Sequence, residues 1–166
     1  MTENSVHNLY TLCTQPVVTL CATVLLTSGA QAGAWEEFEA RCLVPLENLS
    51  PSQVDGLNAV SLPGLAEGEI AFTGLQGGAI LILERAPEDG FGACRVFQAE
   101  GPAVAKFESW ANAQLSSMRY VTDPEADAEN DIALLSNMWI EPVIGVQMRR
   151  AKGGVEMRAL ETELES

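Results

Sequence analysis

The densest run of side chains capable of chemistry is acidic. Asp123, Glu125, Asp127, Glu129 and Asp131 occupy alternate positions. Calcium is held by about six to eight oxygens, and the loops that bind it offer carboxylates at such intervals. An EF-hand loop counted from Asp123 needs Gly at its sixth position and Glu at its twelfth. Ala128 and Leu134 stand there instead. The run therefore reads as a solvated acidic loop, with these five carboxylates as the candidate ligands if a calcium ion binds.

The one dense basic cluster is Arg149, Arg150 and Lys152. It sits where a hairpin tip is expected, and charge there discourages edge-to-edge pairing. Glu161, Glu163 and Glu165 on the returning strand are its expected counterions. Two neighbouring carboxylates would suit glycoside hydrolysis, but nothing in the sequence pairs two of them. Gly77-Gly78 and Gly153-Gly154 match neither phosphate-binding glycine pattern.

The only histidine is His7. From Asn4 to Trp35 there is no charged side chain, and all 9 Lys and Arg residues lie at Arg41 or later. Within that uncharged stretch an apolar segment, Val17 to Leu26, is followed by small residues and by Ala30-Gln31-Ala32. A signal peptidase requires small side chains at two alternate positions, so residues 1–34 read as a secretory signal. Cleavage falls after Ala32 or after Ala34. The segment lacks a basic start, and the alternative is an uncleaved membrane anchor. Removal of the signal leaves no imidazole. That excludes Ser–His and Cys–His nucleophiles, histidine proton shuttles and nearly all zinc and copper enzyme sites. No catalytic residue and no cofactor site is assigned.

Of 4 cysteines, Cys13 and Cys21 lie in the signal, which leaves Cys42 and Cys94. Two cysteines in an oxidising compartment most simply form one disulfide. The loop closed would be about 53 residues, worth about 4 kcal/mol in chain entropy. Their spacing excludes a CxxC redox pair.

These groups must be positioned by the following elements. Trp35, Phe38 and Cys42 recur at helical spacing, and Pro45 should stop or kink that helix. Ser50-Pro51 should open a short helical turn through Leu57. Strands are expected at 69–73, 79–85 and 93–98, paired as an antiparallel meander around the Gly74–Gly78 turn. Pro102 opens the clearest helix, with Val104, Phe107, Ala111, Leu115 and Met118 on one stripe and Trp110 broadening it. A short strand is expected at 119–121, and apolar character resumes at 131–135. Residues 142–150 and 155–159 then alternate as a hairpin, with a phase change at Leu160 that suggests a bulge or a frayed end. The implied fold class is α+β: a mainly antiparallel sheet of about five or six strands with two helices and one disulfide. Residues 35–166 form one domain.

The order of cues (a signal, Trp35…Phe38…Cys42, Gly92-Ala93-Cys94, Phe107…Trp110, a C-terminal hairpin) resembles uncharacterised short exported proteins of alphaproteobacteria. The resemblance implies a periplasmic or secreted location. It carries no activity and no site residues.

Asp plus Glu number 23, for a formal charge of -14. Such a surface repels nucleic acid and anionic lipid and favours cationic partners. The expected function is a small exported, non-enzymatic domain that binds a protein, a peptide or an envelope component. Membrane contact follows only if the N-terminal segment is retained. The alternatives are a carboxylate-dependent or calcium-assisted hydrolase and a membrane-tethered structural subunit.

Overall fold

The computed structural model describes residues 33–84, 92–99, 102–137, 143–151 and 153–162. All of the expected signal except Gly33 and Ala34 lies outside them, as do Lys152, Glu163 and Glu165.

Among the described residues, eight strands form one antiparallel sheet. They are β1 (Asn58–Val60), β2 (Glu69–Thr73), β3 (Ile80–Glu84), β4 (Cys94–Gln98), β5 (Tyr120–Thr122), β6 (Ile132–Ser136), β7 (Ile144–Ala151) and β8 (Gly154–Glu161). Their order is β1-β2-β3-β4-β8-β7-β6-β5. The sheet is thus two meanders laid side by side, joined where β4 pairs with β8. The connection between the meanders carries the long helix α3 (Ala103–Ser116). The fold class is α+β, and the expected antiparallel meander is present as β2, β3 and β4.

The sheet is wider than the five or six strands expected. The addition beyond the expected strands is β1, three residues long and too short for periodicity to reveal, whereas β5 falls on the short strand expected at 119–121. β1 is largely exposed and is held by backbone pairing to β2.

On one face the odd-numbered apolar residues of β8 (Val155, Met157, Ala159) meet Ile144, Val146 and Met148 of β7 and Val96 of β4. An N-terminal helical rod covers them. It is built from α1 (Ala34–Phe38), a π-helical turn (Glu39–Leu43) and α2 (Val44–Glu47). Trp35, Phe38, Cys42, Leu43 and Leu46 of the rod and Phe107 and Ala111 of α3 are buried against the sheet. Trp35 makes ring contacts with Phe38, Phe107 and Trp110 at 5.8, 5.5 and 5.6 Å. The Cys42–Cys94 disulfide ties the rod to β4, with Cα atoms 5.4 Å apart. Among the described residues, no helix is long and apolar enough to cross a membrane.

Three local expectations are corrected. Pro45 does not end the rod. The π turn widens the helix just before it, and the Val44 amide bonds to the Glu39 carbonyl. Pro45 has no N–H, so the Arg41 carbonyl lacks its helical donor. The Gln53 amide takes that place at 3.0 Å. This is also why residues 50–57 form no helix: they run irregularly back along the rod, with one turn at Asp55-Gly56. Finally, no bulge interrupts β8 at Leu160. Its register against β7 runs unbroken to Glu161. Leu160 lies opposite Gly145 on the polar face, and its side chain packs over the space a Cβ would otherwise take.

Candidate functional site

Because successive strand residues point to opposite faces, the residues between the core positions gather on the other side of the sheet. Arg95 comes from β4, Glu156 and Arg158 from β8, Gln147 and Arg149 from β7, and Glu69 and Glu84 from the ends of β2 and β3. The loop 123–131 supplies Asp127, Glu129 and Asn130. Together they line a pocket of about 330 Å³ with five carboxylates and three guanidiniums.

These charges are interlocked. Arg95 pairs with Glu69 and, at 3.3 Å, with Glu156. Arg149 lies 3.1 Å from the second Glu156 oxygen and 3.6 Å from Glu129. Arg158 donates to Glu84 at 2.8 Å. Glu69 and Glu156 expose only 8% and 13% of their side chains, so these pairs are partly desolvated, and losing a partner there is costly. A catalytic carboxyl must be free to exchange a proton with substrate. Glu69, Glu84 and Glu156 instead accept from arginines.

The second concave region lies between α3 and the same loop, at the end of the core layer. It encloses about 530 Å³. Ala111 and Leu115 form its α3 wall, with Ile132 and Leu134 of β6 also lining it. Glu108, Asp123, Asp127 and Asp131 are among its acidic lining residues. The apolar stripe read along α3 therefore divides. Phe107 and Ala111 are buried in the core, while Leu115 and Met118 remain exposed. The helix ends where Met118 takes a left-handed conformation (φ 57°), and the Arg119 amide turns back to the Gln114 carbonyl at 3.1 Å.

The acidic run is a loop, as its polarity required, and it walls both concavities: Asp127 and Asn130 line each. Its carboxylates do not converge on one point. Asp123 and Asp127 each accept from the backbone amide two residues on, at 2.9 and 3.1 Å. Asp131 receives both the backbone amide and the guanidinium of Arg150, at 2.6 and 2.8 Å. Glu129 faces Arg149. Among the described residues, no group of three or more His, Cys, Asp or Glu side chains is arranged to hold a metal ion.

The two described arginines of the basic cluster pair with acids other than Glu161. Arg149 faces Glu156 and Glu129, and Arg150 faces Asp131 and Glu108. In an antiparallel hairpin, residues near the tip meet residues near the tip. Arg149 is opposite Glu156, whereas Glu161 lies opposite Ile144 at the far end.

Two buried polar groups brace the core side. The Tyr120 hydroxyl donates to Glu47 Oε1 at 2.8 Å. Burial and the adjacent Glu47 charge push this phenol far above its ordinary range. Glu37, also buried, accepts from Arg41 at 2.5 Å and from the Gln76 amide at 3.2 Å, which fixes the rod to the turn before β3.

Compared with protein-family models, curated proteins and solved structures, the chain matches none.

Proposed function

We propose that this chain is a small exported, non-enzymatic domain of a bacterial envelope. It acts by binding a basic, amphipathic peptide or protein segment in the groove between α3 and the 123–131 loop. The single observation carrying this reading is the make-up of that groove: apolar Ala111, Leu115, Ile132 and Leu134 beside Glu108, Asp123, Asp127 and Asp131. A Lys or Arg side chain has matching chemistry, with an apolar stem and a cationic head. The formal charge of -14 steers such a partner toward the molecule. The Cys42–Cys94 disulfide suits an oxidising compartment, and the likeness to short exported proteins points the same way.

The test uses the full chain and two synthetic peptides of equal length and charge. One alternates Lys with Leu and the other alternates Lys with Gly. Calorimetry should show tighter binding of the Lys–Leu peptide, weakening as salt rises. Asp123→Asn with Asp127→Asn should weaken it about tenfold. Equal affinity for both peptides would mean that charge alone acts, and the groove would have no role. The absence of heat with either peptide would defeat the binding reading.

A further inference from the structure

We propose that the exported chain is cut between Ala32 and Gly33, and that the amine released on Gly33 docks against the Glu36 carboxylate as the first polar contact of the folded domain. This rests on the export reading above. The reaction is an amide hydrolysis by a leader peptidase. Water adds across the Ala32–Gly33 bond, Ala32 departs with the leader as a carboxylate, and Gly33 retains the nitrogen as an ammonium.

Two overlapping frames satisfy the peptidase's need for small side chains. Ala30 with Ala32 directs the cut to Gly33, and Ala32 with Ala34 directs it to Trp35. Only the first frame leaves the folded domain both residues at issue, and the fold uses both. Gly33 is the N-cap of α1 in extended conformation, and its carbonyl accepts from the Glu37 amide at 3.1 Å. Its nitrogen donates to Glu36 Oε2 at 2.8 Å, the returning half of a capping box. Ala34, the first helical residue, is fully buried in the core cluster.

A cut after Ala34 discards all of these contacts. It also places an ammonium on Trp35, a residue only 6% exposed and packed among Phe38, Phe107 and Trp110. Burying that charge is costly. A cation at a helix N-terminus is opposed by the helix dipole in either frame. At Gly33 the opposition is met locally, since Glu36 and Glu37 occupy the first turn. The two Glu36 oxygens are divided between two donors. Oε1 takes Lys106 Nζ of α3, and Oε2 takes the Gly33 nitrogen. Partial burial raises the Glu36 carboxyl, but bonds from Lys106 and from the Glu36 and Gly33 amides outweigh it and hold the group below its ordinary value. An ammonium at Gly33 would add to that ionised state.

The experiment is expression of the full chain with its own N-terminus in a Gram-negative host, followed by N-terminal sequencing and intact mass of the purified soluble product. The expected first residue is Gly33. A product starting at Trp35, or at any other residue within the export fraction, overturns this proposal and leaves the export reading standing. An intact Met1 in the cytosolic fraction overturns both. Ala30→Leu, which spoils only the first frame, should abolish the Gly33 product; an unchanged Gly33 start would overturn the assignment to that frame. In the exported protein the Gly33 amine should titrate above the ordinary terminal range of about 7.7–8.0. Glu36→Gln should return it to that range. An amine that titrates ordinarily in both proteins would refute the docking.

Discussion

The two faces of the sheet come from the same strands and differ by one residue in phase, yet they are held together by different forces. On the helix side, Val96, Val146, Met148, Met157 and Ala159 are almost wholly removed from water beneath Phe38 and Phe107, with the disulfide closing one end. On the opposite side, charged Arg95, Glu156, Arg158 and Arg149 take the alternate positions and pair across strands under an acidic loop. The first face depends on apolar area and chain connectivity, which charge screening does not weaken. The second depends on ion pairs that share partners and weaken with ionic strength. Architecture is thus fixed by the helix side, while the 123–131 loop borders both the charged pocket and the groove.

Breaking the helix side should have the largest effects. Cys42→Ala with Cys94→Ala should lower unfolding stability by about 4 kcal/mol, because the bond spans a sequence separation of 52 and restrains the unfolded chain. Denaturant titration of the oxidised protein against the double variant measures this, and a loss below about 1 kcal/mol would make the staple incidental. On the opposite phase of β8, where the β4 backbone comes closest, Gly154→Ala should cost about 3 kcal/mol. A Cβ at that position would stand 2.1 Å from the Gln98 carbonyl oxygen and 2.8 Å from the Ala99 Cα, both backbone atoms that cannot swing aside. Thermal melting of this variant tests whether β4 and β8 are as tightly joined at that point as the register implies.

The charged face should respond less, and in a telling pattern. Arg95→Met leaves Glu69 without its guanidinium and Glu156 with only Arg149. Removing one member of a buried pair costs about 3–5 kcal/mol. The Arg95 side chain is 22% exposed, so solvent screens part of that charge and about 2 kcal/mol is expected. Arg95→Met combined with Glu69→Leu should be less damaging than Arg95→Met alone, since no unpaired carboxylate remains at Glu69. If the double variant is the worse of the two, the outer face is stabilised by its charges as such, and the contrast between the faces disappears.

Much of the helix side was legible because burial leaves a period. Val155, Met157 and Ala159 alternate with Glu156 and Arg158, and Trp35, Phe38 and Cys42 fall on one helical face, so elements and pairing follow from the chain alone. The disulfide followed from cysteine count once export was assumed. The charged pocket was not legible. Alternation states that Arg95 and Glu156 face away from the core, but not that strands 61 residues apart lie side by side. The order β4-β8 decides that, and no local signal encodes it. Pro45 misled because its missing donor is compensated at a distance by Gln53, and Leu160 misled because its phase change answers Gly145 on the neighbouring strand. The groove did leave a trace: an α3 stripe that runs on through Leu115 and Met118 past the point where the core ends.

The smallest effect belongs to one of the two polar braces on the core side, the Tyr120–Glu47 bond. Tyr120→Phe should cost about 1 kcal/mol at neutral pH, since the ring packing against Trp110 is kept and only the hydroxyl bond is lost. The pH dependence is more diagnostic than the magnitude. The folded phenol is raised above its ordinary 10.0 by burial first and by Glu47 second. The native state therefore holds this proton at pH values where the unfolded chain releases it. The stabilisation is complete below about pH 10 and falls by about 1.4 kcal/mol per pH unit as pH rises beyond it. Other groups also titrate in that range, so the measured quantity is the difference between the two proteins. Wild type should lose stability faster than Tyr120→Phe as pH climbs, and the curves should converge and then cross. Parallel curves would show that Tyr120 ionises as readily folded as unfolded, and would place this edge of the core in contact with solvent.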